Sequence, residues 1–159
     1  MTRMTRRSRA REVALQLLFW RDVNPTAPRD AVERFVRERL RDAAHEPFCL
    51  ALFDGVTAQG TALDEQLAAA AENWRVSRMA AVDRNVLRLG AYELLHSTET
   101  PPPVAINEAI ELARRYGSKD SPAFVNGILD RINQSRPAQT PASEVSGEMT
   151  NDEIPMTKE

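Results

Sequence analysis

Arg3, Arg6, Arg7, Arg9 and Arg11 crowd the first eleven residues of this chain, with no acid among them. A guanidinium stays charged at any physiological pH and presents a planar fork of donors, so such a run suits phosphate. Residues 1–7 read as an arm that feeds a helix. On that helix Arg7 and Arg11 lie four apart and share a side, as do Arg9 and Gln16, seven apart. A helix holds such groups as a fixed array, which can neutralise several phosphates at once. The bland alternative is a solubilising start, but the charges continue into an amphipathic helix. A second polar cluster, Ser118-Lys119-Asp120-Ser121, stands near the other end of the sequence at the start of a helix. An exposed helix N-terminus favours a phosphate, whereas Asp120 is suited to accept a hydrogen bond from a base amino group or to cap the helix. Phe124 is spaced equally well for stacking on a base and for packing into a core. Phosphate contacts supply affinity without sequence preference, which needs base edges or stacking.

Other chemistry finds little support. His45 and His96 are isolated, and neither stands in an HExxH or Cys/His ligand spacing. Cys49, at the start of an apolar helix, reads as a packed thiol. Glu108 and Glu111 share a helix side, where paired carboxylates usually serve solvation. There is no P-loop, no GxGxxG after a strand and no GxSxG elbow. No catalytic residue, cofactor or metal site is expected.

With 159 residues, 42% of them apolar, the chain suits one compact domain that needs no disulfide or structural metal. A single cysteine cannot form an internal bridge, which points to a reducing compartment. No apolar run reaches the roughly 20 residues needed to span a bilayer. The Arg-rich start could pass for a weak signal peptide, but it lacks a small-residue cleavage site and is interrupted by Glu12, so none is expected. A cytoplasmic protein without a membrane partner is expected. Charge is uneven: from Arg136 onward five acids face two basic residues, a local net of −3. Residues 136–159 are rich in Pro, Ser, Thr and Glu and too poor in large apolar residues to fold, so a disordered tail is expected after a domain at 1–135.

The spacing of apolar residues is helical throughout. The first helix runs from about Ser8 to Asp22 with Ala10, Val13, Ala14, Leu17 and Leu18 inward. A second spans about Arg29 to Asp42. A third opens at Pro47 and breaks near Gly60, and a fourth covers about Ala62 to Glu72. A fifth, about Asp83 to His96, turns Val86, Leu87, Gly90, Leu94 and Leu95 inward. After Pro101-Pro102-Pro103 the sixth carries Val104, Ile106, Ala109, Ile110 and Ala113 and stops at Gly117. The last begins with Ser121 as cap and Pro122 in its first turn, and carries Phe124, Val125, Ile128, Leu129 and Ile132 as one apolar stripe. Asn126-Gly127 sits inside it; without alternating neighbours it is no hairpin, and Gly127 is expected at a close helix–helix approach. No alternating β-branched stretch occurs, and the chain is expected to be all-α.

The words VAINEAIELA and FVNGILD, with the polar elbow between them, resemble the C-terminal signature of the NusB family of transcription antitermination factors. RRSRAREVALQLLF is similar to that family's first helix and DRNVLRLGAYELL to its fifth. The resemblance covers about residues 6–132, although 23–75 carry no diagnostic word. It implies a compact fold of seven helices in two packed bundles. It also implies binding of boxA-type single-stranded RNA of rRNA operons together with NusE, a small-subunit ribosomal protein, acting on the RNA polymerase elongation complex. Arg7, Arg9, Arg11 and Gln16 of the first helix and Asp120 and Phe124 of the elbow are implicated in RNA binding. Ser8 stands where the pattern often has an arginine, for which Arg6 can compensate, and Lys119 adds a cation to the elbow. NusE is expected against the DRNVLRLGAYELL region, at Asp83 and Arg84. Two other classes remain. One is a helical adaptor that binds only protein. The other is an RNA-modifying enzyme, since some rRNA methyltransferases carry a NusB-like N-terminal domain; it needs a second, cofactor-binding domain, which is not expected in this chain.

Overall fold

The computed structural model describes residues 4–136, residue 73 excepted. Among these the chain forms seven α-helices and no strand: α1 (Arg6–Val23), α2 (Arg29–Leu40), α3 (Glu46–Ala58), α4 (Gly60–Ala70), α5 (Ala81–His96), α6 (Pro102–Tyr116) and α7 (Ser121–Ser135). Single 3₁₀ turns at Ala43–His45 and Val76–Arg78 lead into α3 and α5. Helices α1–α3 pack on one another as one bundle and α4–α7 as a second. Helix α5 belongs to both, because it touches α1 and α3 as well as α4, α6 and α7. The tail expected over 136–159 lies outside the described residues apart from Arg136, whose Nη1 donates to the Leu94 carbonyl at 2.8 Å.

Local chemistry explains the helix starts. Helix α1 begins at Arg6 rather than Ser8 because Thr5 is its cap, with Oγ1 accepting from the Ser8 amide at 3.0 Å. Proline stands in the first turn of α3, α6 and α7, where its missing N–H goes unused. The inward stripe of α1 is the one read from the sequence, with Ala10, Val13, Ala14, Leu17 and Leu18 all buried; on α7 Val125, Ile128, Leu129 and Ile132 are buried and Phe124 is half-buried.

Helix α6 differs. Its buried residues are Ala105, Ala109, Leu112 and Ala113, while Val104 is exposed. Small residues face inward because α6 lies close on α5: a Cβ built on Gly90 would come within 3.1 Å of the Ala109 Cβ and 2.7 Å of Leu129 Cδ1. The tight approach expected at Gly127 is therefore found at Gly90. A Cβ on Gly127 would meet nothing within 4 Å. The periodicity located the helix, but Gly127 falls on its flank beside the exposed Asn126 rather than in the seam.

Candidate nucleic-acid interface

Helix α1 divides its arginines between the interior and the surface. Arg11 points inward. Its guanidinium is 4% exposed and grips the 2% exposed Glu93 of α5 with two bonds, Nε to Oε1 at 2.7 Å and Nη2 to Oε2 at 2.9 Å. Thr100 Oγ1 donates to the same carboxylate at 3.1 Å, and Glu108 of α6 lies 3.6 Å from Arg11 Nη1. Ser8 completes the set by donating to Glu108 Oε2 at 2.9 Å. The expectation that Arg11 touches a ligand phosphate is corrected: the side chain is buried and paired with Glu93. Arg7 stands at the same spacing from buried alanines and stays exposed; what draws Arg11 inward is the Glu93 carboxylate opposite it.

Arg6, Arg7 and Arg9, also on α1, reach solvent. Arg6 is 76% exposed, with Asp42 no nearer than 4.0 Å. Arg7 lies over the Phe48 ring at 4.6 Å and donates from Nη2 to Glu99 at 3.2 Å. Arg9 donates from Nη1 to the buried Glu12 and from Nη2 to the Arg39 carbonyl at 3.1 Å.

Glu12 ties α1 to the end of α6. Besides Arg9 it accepts from the Tyr116 hydroxyl at 2.8 Å and from Arg115 Nη1 at 3.1 Å. Burial works against its charge, but the bonds from Tyr116 and Arg9 and the Arg115 charge more than offset it. Its carboxyl is held below the usual glutamate range. Tyr116 in turn accepts from Gln16 Nε2 at 2.9 Å. Burial, and after it Glu12, pushes its phenol up, which keeps the hydroxyl a donor.

The elbow follows at once. Gly117 is required there not for a left-handed backbone but because an added Cβ would fall 2.5 Å from Ser121 Oγ. Ser121 does not cap α7 in the manner expected. Its hydroxyl turns back to accept from the Ser118 amide at 3.0 Å, and the capping position belongs to Asp120. Asp120 makes no side-chain capping bond either, and its carboxylate has no hydrogen-bond partner among the described residues. Asp120 and Lys119 are exposed. Phe124 is half-buried against the core, and its ring meets Trp74 edge-on, with centroids 5.5 Å apart at 75°.

Trp74, 58% exposed, was not singled out by the sequence. It stands between two clefts. One, of about 310 Å³, is lined by Trp74, Arg78, Asp83, Ser118, Asp120 and Phe124 among others. The second, of about 970 Å³, is lined by Asp64, Glu72, Arg75, Arg84 and Arg88 as well as Trp74. Asp83 and Arg84, expected together on one partner surface, thus open on different sides of the indole. Asp83 joins the elbow, and its Oδ1 is buried without a hydrogen-bond partner among the described residues. Cys49 is fully buried, and burial, with Glu46 behind it, pushes the thiol up to about 12, so it is no nucleophile.

The NusB family model matches residues 8–134, which carry all of these contacts except those of Arg6 and Arg7. The chain belongs to the NusB family. Transcription antitermination protein NusB of Sorangium cellulosum is 47% identical over 129 residues, covering 81% of this chain and 92% of the relative. That of Anaeromyxobacter dehalogenans strain 2CP-1 is 48% identical over 135 residues, covering 84% and 94%. Among solved structures, T. maritima NusB is 32% identical with a TM-score of 0.72, covering 91% of this chain and 99% of its own. A structure of antitermination factors NusB and NusE in complex with dsRNA shares the fold, with a TM-score of 0.74 at 24% identity, covering 84% and 100%. Within this NusB-family chain, Glu12, Arg115 and Tyr116 are the contributors the sequence reading missed. Their signal was faint: Glu12 is the first acid after the arginine run, and Tyr116 is the last residue before the glycine stop.

Proposed function

We propose that this chain is an RNA-binding transcription antitermination factor that takes up boxA-type single-stranded RNA of rRNA operons together with NusE. In this role it modifies elongation by RNA polymerase and acts without catalysis in the cytoplasm. The observation that carries the reading is the Gln16–Tyr116–Glu12–Arg9 chain of hydrogen bonds. It ties Arg9 of α1 to Tyr116, two residues before the elbow begins at Ser118, so one polyanion can meet phosphate-binding and base-reading groups together. Arg6, Arg7 and Arg9 supply the charge, and Lys119 adds to it. Asp120, with an unengaged carboxylate, is placed to accept from a base, and the open side of Phe124 offers a stacking surface. Gln16 Nε2 is spent on Tyr116, which leaves its oxygen for a ligand. Arg11 acts only by fixing α1. The relatives' shared name, transcription antitermination protein NusB, supports the antitermination reading.

NusE docks, in this proposal, on the Arg84 side of Trp74, with Asp83 bordering the elbow. The wide cleft there carries both signs of charge on Asp64, Glu72, Arg75, Arg84 and Arg88, as a protein partner would need. That cleft is also what favours the second reading, an adaptor that binds only protein. Titration of boxA-like and scrambled single-stranded RNA, with and without NusE, separates the two. The antitermination reading expects preference for the boxA-like strand and tighter binding with NusE present. An intact NusE complex with no RNA affinity at moderate salt would leave only the adaptor.

A further inference from the structure

Arg115 stands out among the surface cations of α6. Glu111 precedes it by four residues, the spacing of a helix ion pair, yet Glu111 is taken by Arg114. Arg115 instead crosses to α1 and donates to Glu12. There it meets Arg9, so one carboxylate faces two guanidiniums and leaves a local net charge of +1. Glu12 is buried, but Arg9 and Arg115 are each about two-fifths exposed, at 40% and 41%. A guanidinium carries five N–H donors, and the bonds to Glu12 and the Arg39 carbonyl use few of them. The two side chains are thus immobilised before any ligand arrives, with spare donors turned outward. Immobilisation in advance lowers the entropic cost of binding. The location is also apt: Arg115 is one residue before Tyr116 and lies on the surface between Arg9 and the elbow.

We infer that Arg9 and Arg115 form a two-guanidinium clamp for one phosphodiester of single-stranded RNA, with Glu12 as the positioning residue that holds both. The inference rests on the RNA-binding reading above and extends the phosphate track from α1 onto α6. A purely structural Arg115 would neutralise Glu12 and touch no ligand.

The test uses the full chain and a boxA-like single-stranded oligoribonucleotide, titrated over a range of salt concentrations. Arg115→Ala is expected to weaken binding roughly tenfold at low salt and to flatten the slope of log K against log[salt] by about 0.7. Arg114→Ala, which removes an equally charged neighbour, should stay within about twofold of the wild type. Arg115→Lys keeps the charge but loses the fork, so it should keep the slope and lose about threefold or more in affinity. Arg115→Ala with unchanged affinity and slope would reduce Arg115 to a counter-charge and overturn the clamp alone. If Arg115→Ala does not fold, Arg115→Lys decides, and wild-type affinity in that variant overturns the clamp. A wild-type protein that binds no RNA overturns the functional reading along with it.

Discussion

Arg9 and Arg11 stand two residues apart on α1 and carry the same side chain, yet they belong to different parts of the molecule. Arg11 is sealed into the seam between the bundles, doubly bonded to Glu93 and supported by Thr100 and Glu108. Arg9 lies at the rim, where Glu12 fixes it while part of it stays in water. The difference teaches that an arginine-rich helix has two functions. One face must place a charge in the interior and match it fully, because an unmatched buried charge is severely destabilising. The other must keep its donors unspent. Composition counts both alike; what separates them is the Glu93 carboxylate opposite Arg11.

The largest expected effect breaks the buried side. Arg11→Ala leaves Glu93 charged and unpaired in the seam, and should cost about 3–5 kcal/mol of stability, measured by denaturant unfolding. Replacing both partners, Arg11→Met with Glu93→Leu, should restore most of that loss. A restored fold would show that the pair fixes geometry rather than adding net stability.

On the rim, Phe124→Ala should cost roughly 1–3 kcal/mol of RNA affinity through lost stacking. Because the ring is only half-buried, its stability loss should fall short of the ~3–5 kcal/mol of a core phenylalanine. Thermal melts beside RNA titrations would show both. A larger stability loss with unchanged affinity would make the ring scaffold.

Two glycines sharpen the same contrast. Gly90→Ala puts a methyl against Ala109 and Leu129 in the α5–α6–α7 seam, and should destabilise by about 1–3 kcal/mol. Gly127→Ala adds a methyl in open space within a helix, and should stabilise by up to about 1 kcal/mol. Equal effects at the two sites would remove the distinction between seam and flank.

The pH response of Glu12 is smaller. Its folded pKa lies below the usual value, so its contribution is complete above about pH 4.3. The contribution is lost as pH falls further, through the folded pKa. Wild-type stability should therefore drop more steeply below about pH 4 than that of Glu12→Gln, whose acid limb should be flatter. Parallel limbs would mean that Arg9, Tyr116 and Arg115 do not favour the Glu12 carboxylate.

Most of the helical frame was legible because a 3.6-residue period states both the element and its buried side. Proline and glycine marked the starts of α3, α6 and α7 and the end of α6. What escaped depends on which neighbour a side meets. Val104 fits the α6 period but lies in its first turn and is exposed, whereas the alanines that pass Gly90 are buried. Gly127 looked like a contact glycine because nothing in one helix tells its seam from its flank. Thr5 displaced Ser8 at the start of α1 through a single hydrogen bond. At the site, the arginine run and the elbow could be read from residue type alone. Burial of Arg11 had a readable sign, since both it and Glu93 lie beside apolar stripes and carry opposite charge. The pairing of Trp74 with Phe124 had none, because it joins segments fifty residues apart.

The salt dependence of single-stranded RNA binding tests the division of the arginines most directly, compared in the wild type, Arg9→Ala and the Arg11→Met, Glu93→Leu double variant. With Arg6, Arg7, Arg9, Arg115 and Lys119 on phosphate, the wild-type slope of log K against log[salt] should be about −3.5. Arg9→Ala should flatten it by about 0.7, while the double variant, once shown to be folded, should keep the wild-type slope. A flattened slope in the double variant with none in Arg9→Ala would put Arg11 on the RNA and contradict the account.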